Sequence, residues 1–182
     1  GTIIKYPVSS LGIDKKSGNI RTKKMGYFYA DKDNFEDVQR SAGTFGMRHP
    51  LTFLLEAADD IAYKTADIED AVKKGCISYE RLLQELRGFR PEQQTEQYRR
   101  IVSWLEERFG KGVQRDYSRP DLYAVQNWVI SAQGQMIAGV TDCFTANYGA
   151  IMDGSYGKDM FAGTGVELLM DALGDIEIGR AH

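Results

Sequence analysis

The stretch that decides the fold lies between residues 50 and 75 and reads PLTFLLEAADDIAYKTADIEDAVKKG. Proline suits the first position of a helix, where its missing N–H would have had no partner, and glycine suits the position after the last turn. Pro50 and Gly75 therefore predict one long helix between them, which His49 is expected to cap or to pack against. At about 100° of rotation per residue, one face of this helix is mostly apolar. That face comprises Leu51, Leu54, Ala58, Ile61 and Thr65.

The opposite face of the same helix is acidic. Its members, spaced three or four residues apart, are Glu56, Asp59, Tyr63, Asp67 and Asp70. Charged stripes of this kind usually face solvent. Few Lys or Arg residues follow at the fourth position, however, so the like charges repel one another. Because hard cations such as Mg²⁺ and Mn²⁺ bind carboxylate oxygens, the stripe is a candidate cation site as well as a candidate solvated surface.

Residues that start and stop helices recur along the rest of the chain. They predict helices at 78–88, at 91–112, from 118 towards 154, and after the capping pair Thr164 and Glu167. The third of these helices contains Gly134, Gly139 and Gly149, which either break it or let neighbouring helices approach closely. Trp104 and Trp128 fall at apolar helical positions and are expected in the core. Residues 50–182 are therefore predicted to be helical, and the fold class is all-α.

Residues 1–49 have a different character. Lysines and arginines cluster around the turn-forming residues 17–19, and aromatic residues follow at 27–29. This pattern predicts a short β-hairpin or an ordered loop between residues 12 and 30. A basic, aromatic segment of this kind is usually a solvated turn, but it could also contact phosphates.

The composition places the chain among ordinary globular proteins. Its 182 residues suit one compact domain, and 42% hydrophobic and 27% charged residues exclude disordered and collagen-like classes. No apolar run reaches the roughly 18 residues of a membrane span, and residues 1–7 lack the basic and apolar regions that are typical of a signal peptide. The net charge of -3 argues against a dedicated nucleic-acid binder. Cys76 and Cys143 match no metal or redox spacing and suit a reduced, cytoplasmic protein.

Several segments match the pattern of a known family. They are KYP at 5–7, GYF at 26–28, RHPL at 48–51, EAADDIAY at 56–63, DIEDAV at 67–72 and FTANYGAIMDG at 144–154. Together they resemble the deoxyguanosinetriphosphate triphosphohydrolases, which are HD-domain enzymes of nucleotide metabolism. The resemblance implies a partial HD-domain-like multi-helix bundle, with a loop- or hairpin-rich segment over 1–49 and helices over 50–182. The chain has no initiator Met and ends within a helical pattern, so residues 1–182 are expected to be the central portion of a longer enzyme.

The resemblance also implies an activity and its site residues. Family members hydrolyse a deoxynucleoside triphosphate to the deoxynucleoside and inorganic triphosphate, using a divalent metal, Mg²⁺ or Mn²⁺. By position in the motifs, Asp59 matches a metal ligand, Tyr63 and Asp67 match residues beside the sugar, and Lys5 and Tyr6 match residues facing the triphosphate. The family's His-Asp pair does not occur in this chain. No catalytic residue is therefore assigned, and the isolated chain is expected to be inactive.

Two other functions remain open from the sequence. One is a non-catalytic helical module for regulation or oligomerisation, and the other is single-stranded nucleic-acid binding through residues 15–29. The expected partners are a deoxynucleoside triphosphate, with dGTP favoured by the family name, further copies of the chain in a homo-oligomer, and weakly bound single-stranded nucleic acid. No membrane partner is expected, and the expected location is the cytoplasm.

Overall fold

The computed structural model describes residues 4–178, which divide into two compact units. Within that range, the first unit contains residues 4–57 and 142–162, and the second contains residues 58–141 and 163–178. The described residues form seven α-helices: α1 (Lys32–Ser41), α2 (Pro50–Lys73), α3 (Tyr79–Gly88), α4 (Glu96–Gln114), α5 (Pro120–Ala146), α6 (Tyr148–Met152) and α7 (Glu167–Ile178). Over these residues the only β-pairing is an isolated parallel bridge between Ser9 and Tyr27. The all-α prediction is confirmed.

Helix α2 has the predicted ends but not the predicted buried face. It begins at Pro50 and ends at Lys73, and Gly75 follows with a left-handed φ of 73°. Leu51 is 52% exposed, whereas the buried apolar residues of the helix are Phe53, Ala57, Ile61, Ile68, Ala71 and Val72. The predicted face was therefore wrong at its N-terminal end. The first turns are apolar on almost every side, so periodicity did not select the face that buries the large Phe53 ring.

Helices α3 and α4 pack together in the second unit. As predicted, Ser78 caps α3 by accepting a hydrogen bond from the Arg81 N–H at 3.2 Å. The start of α4 was predicted too early, because Pro91–Gln93 form a separate 3₁₀ turn and Thr95 caps the α-helix. Its end was also misplaced. A Cβ on Gly112 would lie 3.1 Å from the Cα of Pro120, so this glycine permits close packing and does not stop the helix.

Helix α5 supplies the centre of the second unit. Trp128 is fully buried, and its indole N–H donates to the carbonyl oxygen of Ile101 at 2.8 Å, which confirms its predicted core position. Trp104 is only half-buried, with the guanidinium of Arg100 5.8 Å from its ring centre. A Cβ on Gly139 would lie 2.8 Å from a methyl carbon of Val166, as expected for close approach. None of the helices between residues 4 and 178 combines the length and apolarity that a bilayer span requires.

The basic segment near the start of the chain forms an ordered loop in the first unit. Short 3₁₀ turns at Ser10–Gly12, Ile20–Thr22 and Tyr29–Asp31 replace the strands of a hairpin in this stretch. Arg21 donates to the carbonyl oxygens of Gly46 at 2.7 Å and Gly154 at 3.0 Å. Of the two predicted forms, the ordered loop is the one found, because side-chain and turn hydrogen bonds satisfy the backbone here without a strand ladder.

Candidate functional site

The predicted site residues fall into two groups, one in each unit. Lys5 and Tyr6 belong to the first unit, whereas Asp59, Tyr63 and Asp67 lie along α2 in the second.

In the second unit, the three predicted residues follow one another at intervals of four along α2. Residues at this spacing share one face of a helix. Asp59 is half-buried, Asp67 is exposed, and Tyr63 exposes 69% of its surface. An exposed aromatic ring one turn from a carboxylate on either side gives an apolar surface flanked by hydrogen-bond acceptors. A sugar, with its apolar ring face and its hydroxyl donors, matches this combination chemically.

Two further acidic residues of α2, one of which lies outside the acidic stripe, contact neighbouring side chains. Asp70 forms an exposed ion pair with Lys74 at 3.1 Å, and Glu69 accepts a hydrogen bond from the Gln126 amide at 2.9 Å. In the part of the chain that the structure describes, no three His, Cys, Asp or Glu side chains converge on a point where they could hold a metal ion. Asp59 could therefore supply one ligand, but the residues between 4 and 178 do not complete a metal site around it.

In the first unit, Lys5 and Tyr6 lie against Arg48. The Arg48 side chain is almost fully buried, and its Nε–H donates to the backbone carbonyl oxygen of Lys5 at 2.7 Å. A terminal nitrogen of the same guanidinium forms an ion pair with Glu56. The guanidinium carbon lies 5.6 Å from the ring centre of Tyr6 and 4.6 Å from that of Phe53. Arg48 thus contacts both residues of the predicted triphosphate-facing pair.

The phenol of Tyr6 is held in its protonated form. Burial raises its pKa most, and the negative charge of Glu56 and a hydrogen bond to that carboxylate raise it further, against the opposing charges of Arg48 and Lys5. Since the carboxylate can only accept, the Tyr6 hydroxyl is the donor. Glu56 therefore accepts a hydrogen bond from Tyr6 and also forms an ion pair with Arg48.

A glycine allows a second segment to lie against the same two residues. A Cβ on Gly26 would overlap the carbonyl oxygen of Tyr6, and the Gly26 N–H donates to the carbonyl oxygen of Val8 at 2.9 Å. The bridge between Ser9 and Tyr27 continues this pairing. The structure therefore brings together the KYP, GYF and RHPL segments, which are far apart in the sequence.

Sequence reasoning did not assign a role to Arg48 or Gly26, although both lie in quoted motifs. The available signal was an arginine two residues before a long helix with an acid eight residues later, and a glycine that follows a basic cluster and directly precedes aromatic residues. His49 does act at the helix start as expected: its Nδ1 accepts a hydrogen bond from the Leu51 N–H at 3.3 Å.

Curated proteins named after one enzyme are similar in sequence to nearly all of this chain. Proteins of Listeria monocytogenes and Listeria innocua named deoxyguanosinetriphosphate triphosphohydrolase-like protein are each 38% identical over 172 residues, which is 94% of this chain and 35% of theirs. A Yersinia enterocolitica deoxyguanosinetriphosphate triphosphohydrolase is 29% identical over 163 residues, 87% of this chain and 32% of that protein. No family model matches. The chain, which spans about a third of the length of these relatives, belongs to the deoxyguanosinetriphosphate triphosphohydrolase family.

Proposed function

We propose that this chain supplies part of the nucleotide-binding region of an enzyme that hydrolyses a deoxynucleoside triphosphate to the deoxynucleoside and inorganic triphosphate. The observation that carries the proposal is the similarity to the Listeria proteins named deoxyguanosinetriphosphate triphosphohydrolase-like protein, which extends over 94% of this chain. Their names favour dGTP as the substrate. The product of the complete open reading frame that contains these 182 residues is called the parent protein.

Each predicted residue has a chemical role in this proposal. Lys5 provides a positive charge for the triphosphate, with Tyr6 beside it. Tyr63 packs its ring against the sugar, and Asp67 accepts a hydrogen bond from a sugar hydroxyl. The exposure of Tyr63 and Asp67 on α2 supports these roles, because both side chains are accessible from solvent.

Asp59 is proposed as one ligand of a divalent cation, Mg²⁺ or Mn²⁺. A bound metal would neutralise phosphate charge and lower the pKa of an attacking water. Such an ion usually needs several oxygen ligands, and the described residues offer no converging set of three acidic, histidine or cysteine side chains. The 182-residue chain on its own is therefore expected to be inactive.

The activity is tested by incubating the parent protein with each common deoxynucleoside triphosphate and Mg²⁺ or Mn²⁺. The expected products are the deoxynucleoside and inorganic triphosphate in equal amounts, with dGTP used fastest. Release of phosphate or diphosphate in place of triphosphate would contradict the proposal. Triphosphate release by the purified 182-residue chain alone would contradict its incompleteness.

The sugar-binding role is tested by Asp67→Asn in the parent protein. Removing the charged acceptor is expected to lower kcat/KM for dGTP at least about tenfold, since hydrogen bonds to charged groups contribute about 1.5–3 kcal/mol. Asp171→Asn is the control, because Asp171 pairs with Arg90 at 2.8 Å on the surface, where ion pairs contribute little. Equal losses in the two variants would remove Asp67 from the proposed site.

A further inference from the structure

We infer that Arg48 and Glu56 are positioning residues, which fix Lys5 and Tyr6 against the start of α2 in the orientation that the triphosphate requires. This inference rests on the proposed function, in which Lys5 and Tyr6 contact the triphosphate. All four residues lie in the first unit.

The first connection acts on the backbone of Lys5. Arg48 donates from Nε to the Lys5 carbonyl oxygen at 2.7 Å, and its side chain is 1% exposed. A hydrogen bond from a charged donor is stronger than one between neutral groups, and exclusion of water strengthens it further. The bond uses a backbone atom, so it fixes the path of the chain at Lys5 without engaging the ammonium group.

The second connection acts on the side chain of Tyr6. Glu56 forms an ion pair with the Arg48 guanidinium and a hydrogen bond with the Tyr6 hydroxyl. The ring of Tyr6 also lies 5.6 Å from the guanidinium carbon, within the range of a cation–π contact. A closed series of contacts therefore runs from the Lys5 carbonyl through Arg48 and Glu56 to the Tyr6 hydroxyl.

Only arginine makes all of these contacts at once. Its planar guanidinium donates in several fixed directions and also stacks on aromatic rings, whereas the lysine ammonium is a compact point charge. In this structure the Nε, one terminal nitrogen and the guanidinium carbon face the Lys5 carbonyl, Glu56 and the two rings respectively. Arg48→Lys keeps the positive charge and loses this geometry.

The remaining terminal nitrogen of Arg48 bears on how much the buried ion pair contributes to stability. Among the described residues it is the buried side-chain nitrogen or oxygen that has no hydrogen-bond partner. Buried polar groups are normally paired, and replacing a buried ion pair with apolar residues is often neutral or stabilising. The buried pair is therefore weak evidence for a gain in stability, and it is consistent with a role in placing Lys5 and Tyr6.

The kinetic test compares Arg48→Lys, Lys5→Ala and the double variant in the parent protein. Arg48→Lys is expected to raise KM for dGTP about tenfold with a smaller change in kcat, because it weakens binding of the triphosphate. When Lys5 is already alanine, Arg48→Lys should raise KM less than about threefold, since part of the effect passes through the missing side chain. Independent, multiplicative effects, or an unchanged KM in Arg48→Lys, would overturn the positioning role. Arg40→Lys, which alters an exposed pair with Asp37 in the same unit, is the control.

Glu56→Gln keeps the test decisive if Arg48→Lys does not fold. Glutamine preserves the size of the side chain and an acceptor oxygen but removes the charge that pairs with Arg48. A rise in KM for dGTP in the same direction, with a circular dichroism spectrum like that of wild type, is expected. A folded Glu56→Gln variant with wild-type KM would overturn the inference.

Hydrogen exchange separates failure of this inference from failure of the proposed function. In Arg48→Lys, the amide of Gly26 is expected to exchange about tenfold faster than in wild type, with no change in α4. The Gly26 amide reports on the segment because it donates to Val8. Unchanged exchange would overturn the positioning role whatever the activity. Faster exchange in a parent protein that releases no triphosphate would support the positioning and overturn the proposed function.

Discussion

Gly26 and Arg48 contact the same short segment, residues 5 and 6, in different ways. Gly26 has no Cβ and so can lie against the carbonyl oxygen of Tyr6, while Arg48 donates to the carbonyl oxygen of Lys5 at 2.7 Å. Both contacts involve backbone atoms of the held segment. Substitutions at Gly26 and Arg48 are therefore expected to change where the segment lies, whereas Lys5 and Tyr6 carry the side chains that are proposed to contact the triphosphate.

Gly26→Ala is expected to lower the free energy of unfolding by about 1–3 kcal/mol, because overpacking forces the backbone to move. The new Cβ would overlap the Tyr6 carbonyl oxygen, which cannot turn away as a side chain could. Urea denaturation of the 182-residue chain, followed by circular dichroism, measures the change. Gly149→Ala is the control in the same unit, since a Cβ there meets nothing within 4 Å. Similar losses in both variants would contradict this explanation.

The sequence identified Lys5 and Tyr6 as candidates but not the residue that holds them. These two residues became candidates through the resemblance of the KYP segment at 5–7 to a family motif. The bond from Arg48 to Lys5 joins residues 43 positions apart, and no local pattern predicts which carbonyl a distant arginine reaches.

Helix α5 contains glycines with opposite structural roles. Gly134 is exposed and a Cβ on it would meet nothing within 4 Å, whereas a Cβ on Gly139 would lie 2.8 Å from a methyl carbon of the buried Val166. The first glycine lowers helix propensity without a packing gain, and the second allows the α5 backbone to approach the residues before α7.

Alanine substitutions distinguish these two roles within one helix. Gly134→Ala is expected to raise the free energy of unfolding by up to about 1 kcal/mol, the difference in helix propensity. Gly139→Ala is expected to lower it by about 1–3 kcal/mol, because Val166 or the helix must shift. Chemical denaturation of both variants beside wild type gives the two signs. Stabilisation by Gly139→Ala would show that the contact with Val166 relaxes freely.

The ends of a helix were predicted correctly from the sequence where a strong local signal exists. They were predicted wrongly where tertiary packing determines the role of the residue. Pro50 and Gly75 defined α2 correctly because proline and glycine restrict or widen the backbone angles directly. The end of α4 was misplaced because Gly112 resembles a stop signal. In the structure this glycine allows Pro120 to pack closely against the helix. The local sequence does not distinguish these two uses of glycine.

The stability of the second unit is coupled to the ionisation of a buried tyrosine. Tyr98 on α4 is 1% exposed, and its hydroxyl donates to the carbonyl oxygen of Leu86 at 2.7 Å. Burial raises its pKa from 10.0 to about 12. Between these values the unfolded chain has lost the phenolic proton while the folded chain retains it, so stability falls as the pH rises.

Wild type is therefore expected to lose stability between pH 10 and pH 12, and Tyr98→Phe is expected to lose about 2–3 kcal/mol less, at about 1.4 kcal/mol per pKa unit. At neutral pH the same variant should be less stable by about 1 kcal/mol, since it lacks the bond to Leu86. Urea denaturation at a series of pH values measures both effects. Tyr117→Phe, on the surface of the same unit, is the control. Parallel curves for wild type and Tyr98→Phe would contradict the assignment.

Anchoring through the main chain at residue 5 makes that position suitable for a spectroscopic reporter. Arg48 binds the Lys5 carbonyl and not its ammonium group, so a cysteine at this position keeps the same bond. Cys76 is exposed and would be replaced by serine, whereas Cys143 is buried and shielded from a thiol-reactive dye. A fluorophore attached in place of the lysine side chain would then sense local motion of the segment around residue 5 directly, without any measurement of turnover.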